Sequence, residues 1–588
     1  MISATRSIGL GCMRLSTDSD RSDERAYATI TLAVEAGVNL LDTAPSYGLD
    51  EDDMHHSERI VGRVLRDLGP RGDLVTVVTK GGLVRQGTAW AVDGRGKSLR
   101  ASCESSLEAL GGRAIDLFLL HAPDPRTSLA TSARALARLV ADGLVKNVGL
   151  SNVSLPALES VSGEMDVAAV EVALGAFDDA PFRSGLVKHC VDRGMTILAH
   201  SPLGGPKRAG RLAKDPLLKE LAGKHATTAG TVVLAWLYGL SKWIVPIPGA
   251  RREATALSAA RAASLELEAD DRARLDGRFP AAARALRQRK LPRAAREKEV
   301  VVLMGIQGAG KSRYVERFVA DGYERLNRDD RGGTMRGLHI ALDERLRAGG
   351  TRFVLDNTYP TRAARSEVIE IAERHHARAR LLFLDTPLEC AQAQAVGRLV
   401  ERYGKLPGAE ELRALSKKDP NAFGPNTQHR YRRELEPPTS DEGWDAVDVI
   451  AYERALLPGA TVRGLVFAAE LALETPGSPA GLALRALLEG HRGRPILSFG
   501  FAEGRLSEKL ATSVGSLAAE LGVQVRFEVC PHGGGPPICW CRPPLPGLVV
   551  PWMRACSIDP AATTLLGTAH SHRAMARGLG VIFREPHT

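Results

Sequence analysis

The first part of the chain alternates short apolar runs with stretches whose apolar residues recur at helical spacing. The apolar runs are predicted strands at Val38–Leu41, Leu74–Thr79, Ile115–Leu120, Val145–Leu150, Ala168–Val172, Thr196–Ala199 and Trp243–Ile247. Amphipathic helices such as Asp23–Ala36 and Ser57–Asp67 are predicted between them. This rhythm over about 280 residues favours a (β/α)8 TIM barrel over an open sheet.

The apolar run Val300–Met304 predicts another buried strand, and a glycine-rich turn follows it directly. The turn and the residues after it read G-x-x-x-x-G-K-S, the phosphate-binding loop, and the next helix opens at Lys311-Ser312. Backbone N–H groups in such a loop cradle phosphate oxygens, the lysine reaches the β- and γ-phosphates, and the serine hydroxyl meets Mg²⁺. The motif therefore predicts a P-loop NTPase domain with a parallel α/β sheet. It places ATP and Mg²⁺ at Gly305, Gly308, Ala309, Gly310, Lys311 and Ser312.

Length and charge narrow the class of protein. A chain of 588 residues accommodates three or four domains of about 150 residues. Its net charge of +9 is compatible with an anionic partner such as nucleic acid. No apolar run reaches about 18 residues, no signal-peptide core is seen, and eight cysteines do not make a disulfide framework. We expect a cytoplasmic protein without a membrane span.

The motifs divide the chain into a barrel at 1–279, a linker at 280–299, a P-loop domain at 300–450 and a C-terminal domain at 451–588. The linker is strongly basic, with seven basic residues and one acidic residue between Arg284 and Lys298. It is interpreted as a solvated helical connection. A basic strap that follows a phosphate backbone is the alternative.

Four polar residues follow predicted barrel strands: Asp42 and Tyr47 in LLDTAPSYG, Lys80 in VVTKGG and His121 in FLLHAPD. Together these motifs resemble the aldo-keto reductase family over nearly all of 1–279. The resemblance implies that Tyr47 protonates a carbonyl oxygen as hydride arrives. Lys80 lowers the pKa of this tyrosine, Asp42 holds the lysine, and His121 orients the carbonyl.

The same resemblance implies a site for NADP(H). Ser151 and Asn152 match residues that meet the nicotinamide amide, and arginines in the loop 247–252 suit a 2′-phosphate. Two departures stand out, because Glu171 replaces a usual glutamine and Ser258-Ala259 replace a usual Glu-Asn pair. The predicted cofactor residues are Ser151, Asn152, Glu171, Ser201, Leu203, Gly249, Arg251 and Arg252.

Four further segments, ERLNRDDR, FVLDNTYPTRAAR, RLVERYGKLP and RRELEPPTSDEGW, resemble the kinase domain of polynucleotide kinases across roughly 300–450. By this resemblance Asp329 is the general base for an acceptor 5′-hydroxyl and Arg331 clamps an acceptor phosphate. Asp356 and Asn357 are predicted to bind the acceptor or Mg²⁺. Arg398 and Arg402, one helical turn apart, are predicted to cover the donor phosphates.

The C-terminal domain contains, in order, the segments ATVRGLVFAAELAL, RPILSFGFAEGR, CPHGGGPPICWCRPPLPG and TLLGTAHSHRAMARGLGVIF. Together they resemble haloacid-dehalogenase (HAD) phosphatases, which implies a Rossmannoid α/β fold. Its catalytic acids are replaced, with Ala468 and Glu470 at the positions of the two aspartates. The later positions hold Pro543, Leu545, Thr568 and His572, and Ser498 keeps a hydroxyl. Without a carboxylate nucleophile no aspartyl-phosphate forms, so the domain is interpreted as an inactive phosphatase.

A cluster of metal-ligand residues stands in the same domain. Cys530, His532, Cys539 and Cys541 are spaced C-x-H-x6-C-x-C. Four nitrogen and sulfur ligands leave no open position, which predicts a structural Zn²⁺ site. Unligated thiols in a loop rich in proline and glycine are the alternative.

Two activities follow from these motifs. One is ATP-dependent phosphorylation of a 5′-hydroxyl end of RNA or DNA, and the other is NADPH-dependent reduction of a small carbonyl substrate. A small-molecule kinase acting on a nucleoside or sugar alcohol is the alternative for the first. A barrel without catalysis, acting as a binding scaffold, is the alternative for the second.

Overall fold

The computed structural model describes residues 8–286, 297–328, 333–454, 459–530, 532 and 539–586. Within these ranges the chain forms two compact units, 1–292 and 293–588. The predicted base Asp329 and the predicted clamp Arg331 lie outside the described residues. Among the described helices, none combines the length and apolar character needed to cross a bilayer.

The first unit is a barrel of eight parallel strands. In their order around the sheet they are Gly9–Gly11, Leu40–Asp42, Thr76–Gly81, Leu117–Leu120, Val148–Ser151, Val167–Ala173, Thr196–His200 and Ile244–Ile247. Each of the seven predicted strands is present, with ends shifted by no more than three residues. The first strand was not predicted, since two of its three residues are glycine.

Glycine closes the barrel. Gly11 forms a parallel bridge with Gly249, and its backbone N–H donates to the carbonyl of Pro248 at 3.0 Å. A side chain on Gly9 would place its Cβ 2.5 Å from the Ile247 side chain, which is closer than packed carbon atoms approach. The first strand can therefore join the last only with glycine at this seam.

The residues of each strand alternate between two cores. Leu117 and Leu119 belong to a small cluster inside the barrel, whereas Phe118 and Leu120 belong to the larger cluster between strands and helices. The inner cluster consists of Leu40, Val78, Leu117, Leu119, Ala169, Leu198, Val245 and Ile247.

The helices of this unit are Met13–Thr17, Asp23–Glu35, His56–Asp67, Pro70–Asp73, Gly96–Ala109, Leu129–Ala141, Leu155–Glu159, Ala180–Arg183, Leu186–Arg193, Gly205–Arg208, the 3-10 turn Ala209–Lys214, Pro216–Lys224, Ala229–Leu240, Glu253–Ser264, Ala269–Arg278 and Pro280–Leu286.

Two features of the first unit depart from the sequence prediction, namely an extra hairpin and the burial of a linker helix that was expected to be solvated. An antiparallel hairpin, Leu83–Gln86 with Ala89–Val92, follows the third strand. The helix Pro280–Leu286, which begins the predicted linker, buries Ala281 and Ala282 in the barrel core. The basic residues that follow, at 287–296, lie outside the described ranges.

The second unit contains two parallel sheets of five strands each. The strands of the first sheet, in spatial order, are Glu324–Leu326, Arg352–Asp356, Glu299–Gly305, Arg378–Asp385 and Ala446–Ala451. Those of the second are Arg526–Cys530, Ile496–Phe501, Leu465–Ala468, Thr564–Leu566 and Ile582–Arg584. Both sheets agree with the predicted α/β class.

Helices cover both sheets of the second unit. They are Lys311–Ala320, Met335–Arg347, Arg362–Arg374, Leu388–Tyr403, Ala409–Leu415, Pro425–Glu434, Pro479–Glu489, Arg505–Leu521, Val549–Ala555 and His570–Leu579, with 3-10 turns at Ser440–Glu442, Ala469–Leu473 and Pro560–Ala562. The core of the second sheet includes Ala395, Val396 and Leu399 of the helix Leu388–Tyr403. The P-loop sheet and the C-terminal sheet are therefore joined by a shared helix in one compact unit.

Candidate active sites

The predicted barrel residues meet at the carboxyl end of the strands because of strand periodicity. Asp42, Lys80, His121 and Glu171 each stand two positions after a residue of the inner core, namely Leu40, Val78, Leu119 and Ala169. Residues two apart in a strand share a face. All four side chains thus belong to the interior face, at the end of a parallel barrel where catalytic groups are found.

Lys80 is the centre of this cluster, and its side chain has no solvent exposure. Its Nζ donates to a carboxylate oxygen of Asp42, to the carbonyl of Thr43 at 3.2 Å and to the hydroxyl of Tyr47 at 3.2 Å. Burial alone would lower the pKa of Lys80, but the carboxylates of Asp42 and Glu171 raise it well above its usual range. Lys80 is therefore a permanent cation beside the tyrosine hydroxyl.

Tyr47 is 5% exposed, and burial raises its pKa above the ordinary value. The Lys80 ammonium acts in the opposite direction, as expected from the sequence, but desolvation of the phenolate outweighs it. The predicted effect of Lys80 is therefore present, although the pKa of Tyr47 as a whole lies above its ordinary value. The phenol keeps its proton at neutral pH.

His121 lies beside Tyr47, with ring centroids 5.8 Å apart in an edge-to-face arrangement. Burial, and then the Lys80 charge, lower the pKa of His121 well below its usual range. The imidazole is therefore neutral, with one nitrogen able to donate and the other able to accept. Trp90, on the hairpin that was not predicted, completes an aromatic group, with centroids 6.4 Å from Tyr47 and 6.3 Å from His121.

The hairpin is fixed over the site by Arg85. Its guanidinium donates to the carbonyls of Ser46, at 3.1 Å, and Gly48, at 2.6 Å, on either side of Tyr47. The same guanidinium lies 3.8 Å from the Trp90 ring centroid, a cation–π contact. Trp90 is thereby held at the mouth of the site, and it is 42% exposed. The sequence signal for this hairpin was Gly87 between two short runs, and Gly87 has the left-handed φ of +55° that the turn uses.

Glu171 is a second carboxyl group against Lys80. One of its oxygens lies 3.4 Å from Lys80 Nζ, yet within the described part of the chain this oxygen accepts no hydrogen bond. Burial, followed by the neighbouring charge of Asp42, raises the pKa of Glu171 to about 8. The two acids and one ammonium thus hold a proton on a carboxyl group at neutral pH.

The predicted cofactor residues lie along the same end of the barrel. Ser151 ends its strand fully buried, and its hydroxyl accepts from the Asn152 amide at 3.1 Å. Asn152 has a left-handed backbone, φ +58°, and also donates to the His121 carbonyl at 3.0 Å. Ser201 is left-handed as well, at φ +50°, and Leu203 packs beside Gly230.

The predicted phosphate-binding arginines are placed differently from each other. Gly249 belongs to the barrel seam, and Arg252 is an exposed residue that precedes the helix Glu253–Ser264. Arg251 instead pairs with Asp18, 3.0 Å from its Nε, and with Asp20. An anion at this helix N-terminus would meet backbone N–H groups, the positive helix end and Arg252 directly.

The P-loop of the second unit has the predicted strand–turn–helix form. Gly305 ends its strand, and the helix Lys311–Ala320 begins directly after Gly310. Gly308, at φ +91°, lies so close to the next helix that a Cβ would meet the Ala391 carbonyl oxygen at 2.4 Å. Lys311 Nζ donates to the carbonyl of Gly305 at 2.8 Å, with Ala309 and Ser312 beside it in the turn. The cradle is thus formed by backbone that only glycine allows.

A cleft of about 290 Å³ opens in front of this loop. Asp356 and Asn357 line it because their strand, Arg352–Asp356, pairs directly with the P-loop strand. Asp356 accepts from Arg325 at 2.8 Å. Of the predicted arginine pair, Arg398 lines the cleft, whereas Arg402 pairs with Asp419 at 2.6 Å.

The cleft is more basic than the sequence motifs indicated. Arg325, Arg328 and Arg430 line it together with Arg398 and Lys311. Arg325 and Arg328 stand within the quoted ERLNRDDR segment but were not assigned a role. Arg430 belongs to the helix Pro425–Glu434, and its only sequence signal was the arginine-rich stretch HRYRR.

The C-terminal sheet brings together four residues that the predicted phosphatase resemblance singled out. Ala468 ends its strand, and Glu470 follows it with an oxygen 3.8 Å from the His572 imidazole. Ser498 is fully buried in the neighbouring strand.

The predicted metal ligands converge in the same domain. The ligand atoms of Cys530, His532, Cys539 and Cys541 all lie within 4.8 Å of one another. Sulfur atoms are 3.3 Å apart between Cys541 and Cys530 and 3.6 Å apart between Cys530 and Cys539. Four ligands at about 2.3 Å from a tetrahedral zinc would lie at similar separations. The donor set therefore fits a zinc ion in type and spacing.

Comparison with known proteins covers the first unit and part of the second. Residues 7–278 match the aldo/keto reductase family, and residues 300–414 match an AAA domain family, a P-loop type. Aldo-keto reductase str7 of Strobilurus tenacellus is 30% identical over 261 residues, which is 39% of this chain and 74% of that protein. The uncharacterized oxidoreductase C215.11c of Schizosaccharomyces pombe is 28% identical over 275 residues, 46% of this chain and 85% of that protein.

Among solved structures, the thermostable aldo-keto reductase Tm1743, in complex with the inhibitor epalrestat, is 27% identical. The match covers 46% of this chain and 94% of that one, with a TM-score of 0.40. An aldo/keto reductase from Klebsiella pneumoniae in complex with NADP and acetate is 22% identical, covers 48% of this chain and 93% of that one, and also has a TM-score of 0.40.

The buried Glu171 carboxyl makes the stability of the barrel depend on pH. A folded-state pKa raised from 4.5 to about 8 means that protonation stabilises the fold fully below pH 4.5, and that this contribution is lost as pH rises towards 8. Glu171→Gln removes the titration. We expect the variant to gain stability over the natural chain between these values, by a few kcal/mol at about pH 9.

Urea unfolding of both proteins at about pH 5, 7 and 9, followed by a barrel-specific signal, measures this difference. Glu35→Gln, at an exposed helix position, is the matched control and should show no such trend. A difference between the Glu171→Gln variant and the natural chain that stays constant with pH would contradict the assignment.

Proposed function

The chain belongs, through residues 7–278, to the aldo/keto reductase family, and on this premise we propose that its barrel reduces a small carbonyl substrate with NADPH. The observation that carries the proposal is the buried cluster in which Lys80 Nζ is 3.2 Å from the Tyr47 hydroxyl and also bound to Asp42. The cluster joins a proton donor, a fixed positive charge and a neutral imidazole in one site.

Each residue has a distinct task in this reduction. Tyr47 donates its phenolic proton to the carbonyl oxygen as negative charge develops there. The Lys80 ammonium stabilises the resulting phenolate, which burial alone would disfavour. His121, neutral beside Tyr47, holds the carbonyl oxygen by a hydrogen bond.

NADPH, when bound, supplies the hydride that the carbonyl carbon accepts. Ser151 and Asn152 would hold its amide end, and Arg252 with the helix start at Glu253 would hold a 2′-phosphate. The buried Glu171 oxygen 3.4 Å from Lys80 Nζ accepts no hydrogen bond from the described residues, so it fits a bound donor group in the same region. Trp90 and Tyr47 present aromatic surfaces that suit a small, largely apolar carbonyl compound.

Tyr47→Phe tests the reductase proposal. Removing the proton donor should lower kcat/KM for simple aldehydes by about 10²–10⁴, as expected for loss of a general acid, while NADPH binding stays near the natural value. Oxidation of NADPH on addition of aldehyde, read by its absorbance, measures the rate. Tyr27→Phe is the matched control, because the Tyr27 hydroxyl bonds Asp67 at the surface. Unchanged turnover in Tyr47→Phe would support the scaffold alternative instead.

We propose that the P-loop region is an ATP-dependent kinase for the 5′-hydroxyl end of RNA or DNA. Support comes from the charge of the cleft, where Arg325, Arg328, Arg398 and Arg430 accompany the P-loop lysine. Bound with Mg²⁺, a triphosphate keeps only about two negative charges, fewer than these cations supply even after Asp356 is counted against Arg325. The additional arginines suit an acceptor that carries phosphates of its own, as a polynucleotide end does and a simple nucleoside or sugar does not.

In the transfer, the acceptor hydroxyl oxygen forms a bond to the γ-phosphorus of ATP while the bond to the β-phosphate oxygen breaks and ADP leaves. Lys311 and Arg398 stabilise the charge on the transferring group. Ser312 and Asp356 would hold Mg²⁺, which neutralises phosphate charge when bound. Asp329 remains the predicted acceptor of the hydroxyl proton, and Arg331 the predicted phosphate clamp.

Lys311→Ala tests the kinase proposal. The change removes the cation of the phosphate cradle and should lower transfer of labelled phosphate to 5′-hydroxyl oligonucleotides at least about 100-fold without unfolding the chain. Matched RNA and DNA strands and free mononucleosides are compared as acceptors. Lys509→Ala, at an exposed site of the C-terminal domain, is the control. Transfer to mononucleosides alone would favour the small-molecule kinase, and full activity in Lys311→Ala would contradict both.

We also propose that the cluster of Cys530, His532, Cys539 and Cys541 holds a structural Zn²⁺ ion. The short distances between its ligand atoms support this assignment. Four protein ligands leave no open position for a reacting group, so the ion would fix the loop rather than catalyse.

Cys539→Ser tests the zinc proposal. The natural chain should contain about one zinc per molecule by elemental analysis, and the variant should lose most of it and unfold at a lower temperature. Cys556→Ser is the matched control, since Cys556 is a free, half-buried thiol of the same domain outside the cluster. A natural chain purified without zinc, and unaffected by its addition, would contradict the proposal.

A further inference from the structure

The helix Leu388–Tyr403 links the P-loop to the C-terminal domain. On one side, its Ala391 carbonyl oxygen is the atom that a Cβ on Gly308 would meet at 2.4 Å. On the other, its Ala395, Val396 and Leu399 are part of the core built around the second sheet. Through this helix the C-terminal domain reaches the neighbourhood of the nucleotide site.

A cavity of about 240 Å³ lies where this helix meets the C-terminal domain. Its C-terminal wall presents the apolar side chains of Val550, Met553 and Leu579, with Arg554 beside them. Its opposite wall includes Gln394, Arg398 and Tyr452. The Gln394 amide donates to the Tyr452 hydroxyl at 3.2 Å, so both polar side chains are fixed at one edge of the cavity.

The cavity continues towards the P-loop. Gln394, Arg398 and Tyr452 also line a second cavity, whose other residues include Gly310, Ser312 and Arg313. Arg398 in addition lines the phosphate cleft itself. Three adjoining spaces therefore lead from the phosphate cleft, past the start of the P-loop helix, to the apolar wall of the C-terminal domain.

We propose that the adenine base of the donor ATP lies in the cavity against Val550 and Met553. The inference rests on the proposed kinase function and goes beyond it, because it gives the C-terminal domain a share of the nucleotide site. In ATP the base lies at the opposite end from the γ-phosphate. Among the three adjoining cavities, this one is likewise the farthest from the phosphate cleft. A flat aromatic base suits the Met553 thioether, the Tyr452 ring and the apolar wall, with the Gln394 amide for its polar edge.

This placement gives a function to the C-terminal domain, which has a well-packed core around its sheet. Its contribution would be shape and apolar surface at the base site, for which no carboxylate is needed. The C-terminal domain would then affect affinity for the nucleoside part of ATP and leave the triphosphate part to Lys311 and the glycines.

The test compares two ligands on the full chain. Dissociation constants are measured for MgATP and for inorganic tripolyphosphate, which has no base. Val550→Trp fills the cavity, so MgATP should bind at least about tenfold more weakly while tripolyphosphate changes by less than about twofold. Leu482→Trp, at a 57% exposed position of the same domain, is the matched control and should change neither.

A second variant tests the same inference without adding a bulky side chain that the fold has to accommodate. Met553→Ala enlarges the cavity, so an ATP analogue with a benzyl group on the exocyclic amine of adenine should gain affinity at least about threefold relative to ATP. A gain of this kind cannot arise from misfolding. MgATP binding unchanged in Val550→Trp, or no gain in Met553→Ala, would overturn the inference while leaving the kinase proposal intact.

Failure of the kinase proposal itself gives a different result. In that case the natural chain binds neither ligand, or Lys311→Ala weakens neither, and the assignment of the base site falls with it. Tripolyphosphate binding that depends on Lys311, together with MgATP binding that depends on Val550, is the result we expect.

Discussion

A fully buried ammonium constrains the first unit more than any other group. Removing the Lys80 charge from water costs several kcal/mol unless negative charge lies beside it, and the carboxyl pair of Asp42 and Glu171, which shares one proton at neutral pH, supplies that charge. Because these groups come from three different strands, the site forms only when the barrel register is correct. The Tyr47 hydroxyl gains a fixed positive neighbour from the same arrangement, so the interaction that makes the buried lysine tolerable also creates the chemistry of the site.

Much of this arrangement could be predicted from the sequence, for reasons of periodicity. Polar residues that directly follow apolar strands had to lie at one end of a parallel barrel, and Asp42, Lys80 and His121 do. The balance between burial and charge at Tyr47 could not be predicted, because desolvation depends on neighbours that are distant along the chain. The hairpin that carries Trp90 was missed for a related reason, since its strands are short and only partly buried.

The second unit shows the limit of spacing arguments. Arg398 and Arg402 share a helix face, as four-residue spacing requires, yet one lines the cleft and the other pairs with Asp419 near the helix end. The spacing of residues along a helix predicts which face they share, but it does not predict which groups each side chain contacts. Arg430 lines the same cleft from a helix about 120 residues beyond the phosphate loop, and only the fold brings the two together. The P-loop sheet and the C-terminal sheet form one compact unit because the helix Leu388–Tyr403 packs against both.

The glycine seam of the barrel has a consequence for synthesis on the ribosome. The strand at Gly9 finds its second neighbour only when Pro246 and Ile247 have been made, so two edges stay unpaired throughout translation of the intervening residues. The barrel therefore cannot finish folding from its N-terminal end while the chain is still being translated. The nascent barrel must stay open until its last strand emerges, and during this interval its unpaired strand edges are exposed to aggregation.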